Sequence, residues 1–490
     1  MQRIAFLFTP VVVLLQSVLL ISGAAEAAEN DIADLVAASR PYLELVAGRQ
    51  EKFELTAEIH VPIDGRQQRI DASLIRYDDE SFDMRLVHSE YAITIRRRVD
   101  ITTAELPVHG TAFVGRGPIT GTDTLQPRDL TVRLMSGDSD LGMARAFLTA
   151  LATGDIDAIA ATLLQQLPSQ YDPENHCWKL GNKLTVRNAD QNSLLVESDK
   201  VTVRLSVRTG DEIGSAGAID IPQTYRVTEI SRSELEQTFS RGLRRATEIL
   251  HPSAALQNPR QQPRTVEHGR LQWIEGQRVA TLWGTPEEIG TAHGQLLRAE
   301  AVRCIESVLY TFGTAHVIRT GRWFRHDLDA AYARLSPHIP ERHKTETRAL
   351  AAALELDADQ VEALNVFPEL FHCSGFAVFG TATKDGTLYH GRVLDYMTTI
   401  GLQDACVTLI VRPNDHLAFA NVGYAGFIGS VSGMNSAAVS LGEMGGRGEG
   451  NWDGVPMATL MRRALEECST LQEVKSLWSN NPRTCEYYYV

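Results

Sequence analysis

Cys373, Arg392 and Asp395 are the residues of this 490-residue chain whose types and spacing could do chemistry together. Cys373 leads into a short apolar run, Ser374-Gly375-Phe376-Ala377-Val378-Phe379-Gly380. Lys384-Asp385-Gly386 reads as a turn, and a second run, Tyr389-His390-Gly391-Arg392-Val393-Leu394, ends at Asp395. The pattern predicts two antiparallel strands, which return Arg392 and Asp395 to the side of Cys373. A thiolate, not a thiol, attacks carbonyl carbon, and a neighbouring guanidinium lowers the thiol pKa. A carboxylate at the same place can orient an amine or a substrate donor. The plainer reading makes Cys373 a core cysteine and the two charges an ion pair within a hairpin.

The elements that must hold these residues follow from periodicity. Residues 1–28 read as an export signal, with Arg3 ahead of an apolar run and small residues around an Ala-Glu-Ala cleavage site. An uncleaved membrane anchor is the alternative. Residues 29–250 read as a β-rich exported domain. Phe53, Leu55, Ala57 and Ile59 alternate, as do Ile70, Ala72 and Leu74, and later Tyr91, Ile93 and Ile95. Leu141 to Leu167 reads as helical, and Ser233 to Leu250 as an amphipathic helix. A curved sheet clasping helices, as in lipoprotein-carrier-like domains, fits this order. Residues 251–267 form a Pro/Gln/Asn-rich linker.

The second domain opens with a strand at Arg278 to Trp283, then a capping box, Thr285-Pro286-Glu287-Glu288, starts a helix. Gly290 and Gly294, one turn apart, let another backbone approach. Helical spacing continues through 328–335 and 346–354. After Asp395 the pattern predicts strands at Val407–Val411, Leu417–Asn421, Phe427–Val431 and Ala438–Leu441, with a turn at Gly433-Met434-Asn435. Helices follow at Met457–Cys468 and after the Thr470/Glu473 capping box.

The Cys373 strand, turn and strand ending in Gly391-Arg392-Val393-Leu394-Asp395 resemble the cysteine N-terminal-nucleophile (Ntn) hydrolases of the penicillin acyltransferase family, related to bile-salt hydrolase and acid ceramidase. Gly284, Gly290, Gly294 and Leu297 match the helical opening of that group, so the resemblance covers about residues 268–490. It implies an α+β fold, with a C-terminal Ntn-hydrolase-like αββα domain preceded by a separate β-rich domain. Within it, 268–372 is a helical pro-segment and 373–490 the nucleophile-bearing core, which reads as incomplete. It further implies self-cleavage between His372 and Cys373, giving Cys373 a free α-amine that serves as base for its own thiol. In that family Arg392 stabilises negative charge and Asp395 holds the amine or the substrate amide.

The oxyanion donors are less well matched. Bile-salt hydrolases carry an Asn after their Met-Asn turn and another on a later strand, and the positions here are Glu443 and Glu486. A carboxylate repels an oxyanion unless protonated. Three readings stay open: the donors lie elsewhere, the two glutamates bind a cationic substrate group, or backbone donors act alone. Asn435 and Asn421 are further candidates, each equally explained as a turn residue.

Composition bounds the rest. The chain is 43% apolar and 22% charged, ordinary for a globular protein, and its net charge of −14 argues against a nucleic-acid partner. Arg96-Arg97-Arg98 and Arg241 to Arg245 read as solvated faces. The six cysteines have no CxxC spacing, so neither zinc nor a dense disulfide framework is expected, and the family implies no cofactor. The glycine-rich run Gly445 to Gly450 follows no βαβ signal and reads as a mobile loop beside the pocket. The expected partner is a small-molecule or peptide amide, with membrane contact only through an uncleaved signal segment. The competing expectation is a catalytically inactive protein whose N-terminal sheet carries an apolar ligand.

Overall fold

A computed structural model describes residues 40–45, 52–63, 66–118, 169–172, 174–180, 184–190, 193–198, 201–210, 213–250, 256, 261–370, 373–395, 397–445, 450–485 and 487–490. The leader-like residues 1–28, the expected helix 141–167, the turn at Asp64-Gly65, and site candidates His372 and Glu486 lie outside these. Among the described residues no helix is long and apolar enough to cross a membrane. The fold is α+β, in two compact units.

The first unit, up to Asn258 together with Ala315–Gly321, is built on a twelve-stranded sheet. Its strands are β1 (Phe53–Ile63), β2 (Arg66–Arg76), β3 (Phe82–His88), β4 (Ala92–Arg98), β5 (Ile101–Leu106), β6 (Thr111–Arg116), β7 (Ser169–Asp172), β8 (Cys177–Leu180), β9 (Leu184–Asp190), β10 (Ser193–Ser198), β11 (Thr202–Thr209) and β12 (Arg226–Glu229). The order is β12-β6-β5-β4-β3-β2-β1-β11-β10-β9-β8-β7, and only the β12–β6 pair is parallel. Alternation decides the faces: Phe53, Leu55, Ala57, Ile59 and Val61 of β1 are buried while the residues between them are partly open. Helix α1 (Arg232–Leu250) follows β12. The basic runs depart from expectation. Arg97 and Arg245 are buried, and Arg96 and Arg98 pair with Glu105 and Asp83, because carboxylates on adjacent strands compensate charge taken out of water.

The second unit, Pro259–Thr314 with Arg322–Val490, holds an eight-stranded sheet and a separate hairpin. The sheet strands are β13 (Arg264–Val266), β14 (Gly269–Ile274), β15 (Gln277–Gly284), β18 (Cys406–Pro413), β19 (Phe419–Tyr424), β20 (Ser432–Asn435), β21 (Ser440–Met444) and β22 (Tyr488–Tyr489), paired in that order. The hairpin is β16 (Ser374–Gly380) and β17 (Gly386–Val393). Helices α2 (Pro286–Ile305), α3 (Phe324–Leu335), α4 (Glu341–Leu354) and α5 (Ala358–Val366) precede the hairpin, and α6 (Met457–Glu467) and α7 (Leu471–Asn480) follow the strands. Both capping boxes form, Thr285 with Glu288 and Thr470 with Glu473. A Cβ on Gly290 would lie 2.3 Å from the Glu346 carbonyl oxygen, so glycine sets how closely α2 and α4 approach.

One expectation fails here. Residues 427–431 form no strand, and Gly433-Met434-Asn435 lies in β20 rather than in a turn. Phe427, Ile428 and Val431 are buried all the same. Their backbone is satisfied elsewhere: Ile428 N–H donates to Asn365, and Ser430 N–H to the Ala458 carbonyl. An apolar run can be buried inside a turn-rich segment when neighbouring helices take its hydrogen bonds.

Candidate active site

The site begins with the hairpin. β16 pairs with β17 in the register Ser374 opposite Val393 and Gly375 opposite Arg392. Gly380 and Gly386 take positive φ at the turn, where a Cβ would be strained, and Asp385 accepts the Thr387 N–H. The register puts Cys373, just before β16, close to Arg392 near the end of β17. Asp395, two residues past β17, accepts a 2.9 Å hydrogen bond from the Ser374 hydroxyl. Phe376, Phe379, Leu388 and Tyr389 are each more than half exposed, so the apolar composition of these strands does not mark a core.

The decisive neighbour comes from β21. Glu443 is fully buried, and its carboxylate accepts from Arg392 Nη2 at 2.8 Å. Arg392 Nε also donates to the Glu443 carbonyl oxygen at 3.2 Å. The approach depends on Gly442, where a Cβ would sit 2.8 Å from Arg392 Cγ and 3.0 Å from His390 Nε2. The Arg392 side chain is only 7% exposed, and its Nη1 has no hydrogen-bond partner among the described residues. One buried donor of the pair is therefore left over.

Cys373 is a half-buried free thiol inside this pair. Burial first, and then the Glu443 carboxylate, push the thiol up to about 12. Arg392 and the Asp395 N–H act in the opposite direction. Arg392 lowers the thiol pKa as expected, but burial and the Glu443 charge outweigh it.

His390 is a residue that sequence reasoning passed over. It lies two positions before Arg392, hence on the same face of β17. Its Nδ1 is 2.8 Å from the Ser440 hydroxyl, Nε2 is buried without a partner among the described residues, and burial with the Arg392 charge lowers its pKa. The period-two spacing was the available signal.

Asn435 is removed from the oxyanion candidates. Its Nδ2 donates to the Leu465 and Cys468 carbonyls, and Oδ1 accepts from the Ala437 and Val439 N–H groups. Both amide donors close the end of α6, so neither is available to a substrate. Asn421 is buried as well and donates to the Gly429 carbonyl. The glycine-rich loop falls largely outside the described residues, with Gly450 at φ +94° at its end.

Close to Cys373 in sequence is a second buried carboxyl. Glu369 is 2% exposed and accepts from the N–H groups of Met457 and Ala458, at 2.9 and 3.0 Å, and from the Thr484 hydroxyl at 3.1 Å. Burial pushes it up to about 7 against these hydrogen bonds.

Comparison with known sequences fits this geometry. Residues 381–490 match the family described as acyl-coenzyme A:6-aminopenicillanic acid acyl-transferase. The C-terminal region is related to that family. The match takes in Arg392, Asp395 and Glu443, while Cys373 lies eight residues before it. The chain is also similar to Protein dcd1B of Dictyostelium discoideum, 25% identical over 43% of this chain and 47% of that protein. Protein dcd1A of the same organism is 24% identical over 43% of this chain and 54% of its own length. Acid ceramidase of Balaenoptera acutorostrata scammoni is 23% identical over 31% of this chain and 44% of its own length. The chain thus spans about half the length of the curated relatives it matches.

Proposed function

We propose that this protein is an exported, self-processing cysteine Ntn amidohydrolase or acyltransferase acting on linear amides of N-acylated amines, amino acids or peptides. The observation that carries the reading is the hairpin register that brings Cys373 beside Arg392, whose guanidinium is held by the buried Glu443 carboxylate.

In processing, the sulfur attacks the carbonyl carbon of His372. A C–S bond forms, the C–N bond to Cys373 breaks, and Glu443 carries the thiol proton to the departing nitrogen. Water then cleaves the thioester. This leaves a carboxylate on His372 and a free thiol and α-amine on Cys373. That amine, with an ordinary pKa of roughly 7.7–8.0, serves as base for the next attack on a substrate amide. The acyl group passes from sulfur to water or to another amine. Arg392, through its unused Nη1 donor, stabilises the negative charge that develops, and Asp395 orients the new amine.

Intact mass and N-terminal sequencing of purified full-length protein test this directly. The expected result is a new N-terminus at Cys373, absent in Cys373→Ala. Unprocessed chains in both samples would overturn it.

The raised thiol pKa favours a second reading, an inactive protein that binds an apolar ligand and carries a degenerate Ntn region. Rapid alkylation of Cys373 at neutral pH supports catalysis, and an inert thiol supports the binding protein.

A further inference from the structure

Helix α6 begins after Pro456, which has no side-chain oxygen to accept from the first turn. The N–H groups of Met457 and Ala458 are taken instead by Glu369, from another element far away in sequence. Its carboxylate also accepts from Thr484, and its main-chain carbonyl accepts from the Tyr487 hydroxyl at 2.7 Å. Residue 369 is thereby fixed through both its side chain and its backbone. Three residues on from Leu370, Cys373 is fixed again, with its carbonyl accepting from Gly445 N–H at 3.4 Å. A helix cap alone needs no charge, since Ser, Thr or Asn at the N-cap supplies the same acceptor at lower desolvation cost. A buried carboxylate imported four residues before the nucleophile does something a local cap cannot: it ties the incoming chain to the helix.

We propose that Glu369 is the positioning residue for self-cleavage, anchoring the chain on the amino side of the Cys373 peptide bond to the N-terminus of α6. This rests on the self-processing reading above. Glu369 touches no reacting atom. It acts by limiting the conformations of the few residues between two fixed points, which raises the fraction of time the carbonyl carbon is within reach of the sulfur. Once the bond is cut the constraint has no further use, so chemistry on a substrate amide does not require it.

Pulse-labelled full-length protein, followed by intact mass, gives the first-order rate of scission. Circular dichroism gives the folded fraction of each variant. Glu369→Ala is expected to slow scission of folded protein tenfold or more, and Glu369→Gln, which keeps one acceptor oxygen, two- to threefold. Iodoacetamide labelling of Cys373 in chains already cut should proceed at the unmodified rate in both. Should Glu369→Ala not fold, Tyr487→Phe removes only the backbone anchor and is expected to slow scission about threefold. Wild-type rates in folded variants, or slowing no greater than the loss of folded fraction, would overturn the anchor while leaving self-processing intact. An unmodified chain that never cleaves would overturn both.

Discussion

Two buried arginine–glutamate clusters in the second unit differ in one respect. Arg462 donates from Nε to Glu466, from Nη1 to Glu346 and the Ile428 carbonyl, and from Nη2 to Glu346. Glu466 in turn accepts from His343 and Arg342. All three nitrogens of that guanidinium have partners. Arg392, equally hidden, has Nε and Nη2 engaged by Glu443 and leaves Nη1 unpartnered among the described residues, with the Cys373 thiol nearby. A closed network holds helices together; an open one leaves a donor near the Cys373 thiol. Burial of charge does not by itself mark a site.

The contrast can be broken most sharply at the sulfur. Cys373→Ala should abolish scission altogether, so that intact mass shows only full-length chains. Next comes the closed network. Arg462→Ala leaves Glu346 and Glu466 buried without their cation and should lower stability by about 3–5 kcal/mol. That corresponds to a fall of roughly 10 °C in melting temperature, with alkylation of Cys373 unchanged in the folded remainder.

Glu369 gives a pH signature of similar size. Its pKa rises from 4.5 to about 7 on folding, so its stabilisation is full below pH 4.5 and is lost as pH climbs towards 7. The loss is about 3 kcal/mol, and urea midpoints across that range should flatten in Glu369→Gln.

Thiol titration sharpens the open cluster itself. In chains still at full-length mass, alkylation of Cys373 should rise with pH up to about 12. Glu443→Gln should move this midpoint down and Arg392→Met should move it up, each by about one pH unit or 1.4 kcal/mol. Arg462→Met should leave it in place. The smallest effect belongs to Ser374→Ala, which removes one exposed hydrogen bond to Asp395 and should cost under about 1 kcal/mol in melting experiments.

What the sequence made legible was local. The hairpin with its Lys384-Asp385-Gly386 turn, both capping boxes and the close helix contact at Gly290 all depend on residues a few positions apart. The Arg392–Glu443 pair spans 51 positions, and no spacing rule predicts it. The same distance hides the use of Asn435, which looks like an oxyanion donor until its partners at Leu465 and Cys468 are seen. Glu369 is illegible for a like reason, since a carboxylate that caps a helix from another element leaves no pattern beside that helix. The run 427–431 misleads in the other direction, because apolar residues buried by helices read like a strand.

Gly442 turns the site into something that can be read from sequences alone. The gap between β21 and β17 has the thickness of a hydrogen atom there, since a methyl group would meet Arg392 and His390. A larger residue at this position would have to displace the Arg392 and His390 side chains, and with them the pairing to Glu443. A single column of an alignment thereby becomes a ruler for whether a distant cousin keeps this chemistry or has abandoned it.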